Sequence, residues 1–254
     1  MTLHVTLPDG SPLELDDGAT VYDAAAAIGL RLAKAAIAGR VTAAGDGGTR
    51  LVDVAAPLHD GDTLAIVTLK ADDPESLDVL RHTAAHVMAQ AVLRLWPGTK
   101  YSIGPAIENG FYYDFQLPEP IAESDLARIE AEMAKIVAED HATVRAELPA
   151  DEALAAFRGA QPFKVELVED LVSAAEAAGE PVPTISVYSQ GEFTDLCRGP
   201  HLPSTGRLGK GTFKLTSIAG AYWRGDERNA MLTRIYGIAF PSKEELAVHL
   251  EALE

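Results

Sequence analysis

Apolar and polar residues alternate with period two in LHVTL and PLELD, which predicts two short strands joined as a hairpin at Asp9-Gly10. The pattern turns helical across VYDAAAAIGLRLAKA, then returns to short apolar runs at Val41, Leu51–Val54 and the final strand of HDGDTLAIVTL. A polar joint, Lys70–Asp73, leads into the longest periodic stretch, Asp73–Gly98. Leu80, Ala84, Val87, Ala91 and Leu95 recur there at helical spacing, Pro74 and Glu75 suit a first turn, and Pro97-Gly98 ends it. One helix packing through a single apolar stripe is expected. His82 and His86 each follow a stripe position by two, about 200° round the axis. They share a face turned away from the stripe, with Cβ atoms roughly 5–6 Å apart.

The remaining pattern predicts a mixture of helices and antiparallel strands. KYSIGPAIENGFYYDFQL reads as a hairpin turning at Asn109-Gly110. SDLARIEAEMAKIVAEDH reads as an amphipathic helix capped by Ser124, with Leu126, Ile129, Met133 and Ile136 inward. A strand near Thr143–Leu148 and a short helix from Asp151 to Arg158 follow. PFKVELVEDLVSAAEAAG is a helix with Pro162 first and Gly179 just past its end, burying Phe163, Leu167, Leu171 and Ala174 or Ala175. TISVYSQGEFTDLCRGPHLPSTGRLG gives a strand, a turn and a loop stiffened by Pro200 and Pro203. Two more strands flank a polar turn at Arg224–Asn229, and SKEELAVHLEALE begins a last helix.

Composition narrows the function classes. The net charge of −17 argues against nonspecific nucleic-acid binding, which depends on neutralising phosphates, though not against a local basic patch meeting one structured RNA end. Lys210, Lys214, Arg224 and Arg228 are candidates for such a patch, each more often plain surface charge. The start lacks a basic segment followed by an apolar one, and the most apolar early run is broken by Arg31 and Lys34, so neither a secretion signal nor a membrane span is expected. The single cysteine excludes an internal disulfide and fits a reducing cytosol.

The chemistry-bearing residues fall in two pairs, His82/His86 and Cys197/His201, each four apart. One His-x-x-x-His alone is weak evidence, and core filling would be the better reading of it. A Cys-x-x-x-His inside a Gly-Pro loop strengthens the case, since loops on rigid scaffolds tend to hold site residues. The four side chains would permit a tetrahedral zinc. Cys197 as a nucleophile would need a depressed pKa from a base or helix end. Lys164, in a helix's first turn, and Asp195, two residues before Cys197, would each be ordinary solvated charges if they stood alone.

Residues 1–68 give two strands, a helix and further strands, the β-grasp order, and resemble the ubiquitin-like TGS domain; a structural or docking role is expected of it, since no catalytic cluster lies there. HTAAHVMAQAV, YSIGPAIENGFYYDF, TDLCRGPHLPSTG and KLTSIAGAYWRGDERNAMLTRIYG, in that order, resemble the N-terminal half of bacterial-type threonyl-tRNA synthetase. The alanyl-tRNA editing proteins share the two pairs but not the last segment. The expected fold is therefore α+β: a small β-grasp domain at 1–68, an editing domain with an antiparallel sheet and packed helices at 73–241, and the start of a linker helix at 242–254. The resemblance implies a cytoplasmic protein that hydrolyses the ester of seryl-tRNA mischarged on threonine tRNA, with the 3′ end of that tRNA as partner. His82 would position the attacking water with help from Lys164 and Asp195. Tyr113 and Asp195 would bind the seryl group, while His86, Cys197 and His201 would wall the pocket near the terminal adenosine. The resembling site is metal-free, so no cofactor is expected, although the ligand set would permit zinc. No segment resembles ATP-binding class II motifs, so the chain is expected not to activate threonine, and to be either a piece of a longer enzyme, partnered by its synthetic domain, or a free-standing editor. Two other readings stand beside this one: a noncatalytic module docking the tRNA acceptor stem, and a zinc hydrolase of the alanyl editing type.

Overall fold

A computed structural model describes residues 2–45 and 47–252; Met1, Asp46 and the last two residues of the expected linker helix, 253 and 254, lie outside the described residues. The chain divides into two compact units, one running up to Leu80 together with Gly199–Pro203, the other Arg81–Arg198 with Ser204 onward.

The first unit is a five-stranded sheet crossed by helix. It contains β1 (Thr2–Thr6), β2 (Pro12–Asp16), α1 (Val21–Ile28), α2 (Leu30–Ala35), β3 (Ala36–Thr42), β4 (Thr49–Asp53) and β5 (Thr63–Thr68). The order β2-β1-β5-β3-β4, with β1 and β5 parallel and the other pairs antiparallel, is the expected β-grasp. Alternation decides which residues enter its core: Leu3 and Val5 of β1 and Leu64 of β5 pack with Val21 and Ala24 of α1. The Thr20 hydroxyl accepts from the Asp23 amide and the Asp23 carboxylate accepts from the Thr20 amide, a reciprocal cap on α1. The single helix expected over VYDAAAAIGLRLAKA is in fact two, because Gly29 adopts an extended conformation between them. Glycine disfavours a helix interior by about 1 kcal/mol relative to alanine, so the break falls there.

Helix α3 (Pro74–Leu95) begins in the first unit and continues through the second. It ends as the sequence indicates, but it does not pack through one stripe. Of the residues from Val79 to Val92, all are buried except His82. The second unit continues with β6 (Lys100–Tyr101), β7 (Ala106–Ile107), β8 (Gly110–Gln116), α4 (Leu126–Glu139), β9 (Val144–Leu148), α5 (Ala150–Phe157), α6 (Pro162–Ala178), β10 (Ile185–Gln190), β11 (Phe193–Leu196), β12 (Phe213–Tyr222), β13 (Met231–Ala239) and α7 (Lys243–Glu251). β6, β8, β13 and β12 form an antiparallel sheet with β7 added to β8; β9, β10 and β11 form a second.

Two local expectations are corrected. The β7–β8 turn consists of Glu108 and Asn109, and Gly110 is already in the strand. A Cβ on Gly110 would lie 2.1 Å from the Gly237 carbonyl oxygen, so this glycine serves close strand approach rather than the turn. Ser124 does not cap α4: it lies in a 3-10 turn, Glu123–Asp125, where the Asp125 carboxylate accepts from the Ala122 amide. The inward face of α4 is as expected, with Leu126, Ile129, Met133 and Ile136 buried.

Candidate active site

Three elements of the second unit deliver the site. α3 carries His82 and His86, the β10–β11 hairpin carries Asp195 with Cys197 just after it, and α6 carries Lys164. Pairing of Tyr188 with Asp195 and Gln190 with Phe193 puts these four side chains on one face of the hairpin, the face that meets α3. The His86 ring accordingly stands edge-on to Phe193, with centroids 5.5 Å apart, and 6.5 Å from the ring of Tyr113 on β8.

Asp195 is the centre. It is 2% exposed, and its carboxylate meets Lys164 Nζ at 2.5 Å, the donating Tyr113 hydroxyl at 2.5 Å and His86 Nε2 at 3.2 Å. Burial alone would push this carboxyl up; the adjacent Lys164 cation, then the His86 contact, outweigh that and hold it below the usual carboxylate range. It is therefore an anion at neutral pH. Lys164 is itself buried, its ammonium 5.3 Å and 5.8 Å from the ring centroids of Tyr101 and Tyr113. Burial, reinforced by the Asp195 charge, pushes the Tyr113 phenol far up, so it remains a donor.

His82 differs. Its Nε2 lies 3.2 Å from Cys197 Sγ, and its ring is 5.1 Å from that of His86 in an edge-on arrangement. Burial and the neighbouring His86 depress it to about 3, so the ring is neutral at physiological pH. A neutral imidazole with so weak a basicity is suited to orienting a water rather than removing its proton. The donor atoms of His82, His86 and Cys197 lie within 4.8 Å of one another, close enough for a zinc to draw them in. His201 is buried in the first unit, where its backbone amide donates to Asp53 at 3.0 Å.

Sequence reasoning passed over two residues that hold these groups. Tyr101 donates its hydroxyl to the Thr194 carbonyl at 2.5 Å and lays its ring 6.1 Å from Tyr113 and 5.3 Å from Phe193. Gln161, just ahead of α6, accepts from the Tyr101 amide at 3.0 Å and donates to the Thr99 carbonyl at 3.3 Å, tying the first turn of α6, with Lys164, to the edge of β6. The aromatic at Tyr101 opposite Phe115 was the available signal for the first; Gln161 offered none. Of the basic residues considered for RNA contact, Lys214 pairs with Glu130, Arg224 with Asp170 and Arg228 with Asp226. Pairs this exposed are screened by solvent and leave the cations accessible.

A TGS domain model matches residues 3–68, and the model of the "threonyl and alanyl tRNA synthetase second additional domain" matches 185–236, which includes the β10–β11 hairpin. The chain carries a TGS domain and a synthetase second additional domain. Along its whole length it is 53% identical over 254 residues to the threonine–tRNA ligase of Pelobacter propionicus. It is 50% identical over 253 residues to that of a Geobacter species and 50% over 254 to that of Symbiobacterium thermophilum. The chain spans about 37% of the length of these relatives, matching their N-terminal region. The TGS domain coincides with the β-grasp sheet, and the match to the second additional domain contains Asp195 and Cys197. Among the described residues, no helix is long and apolar enough to cross a membrane.

Proposed function

We propose that the second additional domain hydrolyses the ester of seryl-tRNA mischarged on threonine tRNA. The observation that supports this reading is the buried Lys164–Asp195–His86–Tyr113 cluster beside a neutral His82. Serine lacks one methyl group of threonine, and a synthetic pocket separates the two by only ~1–3 kcal/mol, so a second site too tight for the γ-methyl is required. In this reading Asp195, with three of its roughly four acceptor positions taken by protein donors, keeps one for the seryl ammonium or hydroxyl. Tyr113 fixes that carboxylate in place. His82 accepts a hydrogen bond from the attacking water, and the Lys164 cation offsets negative charge developing on the ester oxygen. His86 and Cys197 wall the space for serine and the terminal adenosine. The partner is the 3′ end of threonine tRNA in the cytoplasm, and the synthetic domain that charges it completes the same enzyme.

The chemistry is assigned without metal because a buried ammonium already supplies positive charge. The close donor atoms of His82, His86 and Cys197 favour the zinc reading; metal analysis of the purified protein and chelator-sensitive hydrolysis would replace the one with the other. Incubation with seryl- and threonyl-tRNA should deacylate the first only. His82→Ala should abolish that hydrolysis with tRNA affinity nearly unchanged. Hydrolysis that survives in His82→Ala, or a folded parent inert on both substrates, sinks the proposal and leaves the docking role.

A further inference from the structure

The polar face of α3 continues past the two histidines. His82, His86, Gln90 and Arg94 recur every four residues, and each meets the β10–β11 hairpin. His82 reaches Cys197 at 3.2 Å and His86 reaches Asp195 at 3.2 Å. One turn on, Gln190 Nε2 donates to Gln90 Oε1 at 2.9 Å, both side chains buried. At the hairpin tip, Arg94 Nε and Nη2 donate to Glu192 at 2.5 and 3.2 Å, while the same guanidinium grips Glu139 of α4 at 2.7 and 2.9 Å. The spacings match for a physical reason. Four helix residues advance about 6 Å, and two strand residues advance about 6.8 Å. From Cys197 through Asp195 to the Gln190–Phe193 pair, alternate strand positions therefore keep pace with successive turns of α3, and Glu192 follows in the turn beyond them.

We infer that Gln90 and Gln190, with Arg94 and Glu192 beyond them, are positioning residues that lock the register of α3 against the hairpin and so hold His82 and His86 opposite Cys197 and Asp195. The inference rests on the hydrolytic reading of that site. Apolar packing around α3 is non-directional and would tolerate a small slide. A buried amide pair tolerates none, as a single buried asparagine fixes register in coiled coils. Displacement of a reacting group by about 1 Å suffices to lower a rate 100-fold.

The test is the double variant Gln90→Met/Gln190→Met in the full chain, which keeps volume and removes the directional pair. Three quantities are read: the melting temperature, kcat and KM on seryl-tRNA, and the downfield proton resonance of His86 Nε2–H. The expected result is a melting temperature unchanged or raised, KM unchanged, kcat lower by about 10- to 100-fold, and a His86 resonance shifted or broadened. A folded double variant with parental kcat and an unmoved resonance overturns the inference. If the double variant does not fold, Glu192→Ala decides, since that side chain is 55% exposed and its loss leaves the core intact; a several-fold fall in kcat supports the lock, and parental values overturn it. If the parent hydrolyses nothing, the functional reading has failed, and the His86 resonance alone then judges the register lock.

Discussion

At the scale of single residues, the contact between Lys164 and Asp195 has the largest energetic consequences. Breaking a buried ion pair leaves an uncompensated charge, which costs about 3–5 kcal/mol, more than the pair itself contributes. Lys164→Met should therefore lower the unfolding free energy by about 3 kcal/mol or more, and Lys164→Met/Asp195→Asn should recover part of it; denaturant titration of both variants checks this ordering. A stability loss below 1 kcal/mol in the single variant would mean that water reaches Asp195. Apart from the family resemblance, nothing in the sequence distinguishes Lys164 from a surface lysine, because burial of a first-turn side chain is decided by Tyr101, Tyr113 and Asp195, which come from distant segments. Asp195 was legible only beside Cys197 and through the family resemblance.

At the scale of elements, period and punctuation were sufficient for most of the fold. The DG hairpin β1–β2, the proline and glycine bounding α6, and the inward face of α4 are where the pattern puts them. Two departures are local, the break at Gly29 and the 3-10 turn at Glu123–Asp125 in place of a Ser124 cap, and two depend on an element not adjacent in sequence. The apolar stripe of α3 predicts one-sided packing, yet the opposite face is also covered, with Gln190 of the hairpin meeting Gln90 in the interior. The β7–β8 turn was read one residue late because Asn-Gly is a turn signal, whereas Gly110 answers to the Gly237 carbonyl across the sheet. Gly110→Ala should accordingly force β8 and β13 apart and destabilise the protein by about 3 kcal/mol, the upper range for overpacking. Thermal melting against the parent measures it, and a neutral outcome would restore the turn role.

At the scale of the whole molecule, pH couples the site to folding. His82 has a folded pKa of about 3 against 6.5 for a free histidine, and Asp195 is also held low. Between those His82 values the unfolded chain binds the extra proton, so stability rises with pH, is complete above about 6.5 and is lost as pH falls towards 3. One such proton gives a slope of up to ~1.4 kcal/mol per pH unit. His82→Asn, which cannot titrate, should flatten the dependence of the denaturant midpoint across pH 4–6; an unchanged slope would assign it to the carboxylates.

The pacing of helix turns against alternate strand positions also constrains how this gene can drift. Because α3 is buried on every side from Val79 to Val92 except at His82, conservative exchanges of similar volume are the changes it tolerates, but chain length between positions 82 and 94, or between 190 and 197, is fixed. A single-codon insertion in either window would swing every later contact by about 100° on the helix, or to the opposite face on the strand. Functional descendants should therefore be gapless across both windows while tolerating length changes in the loops outside them.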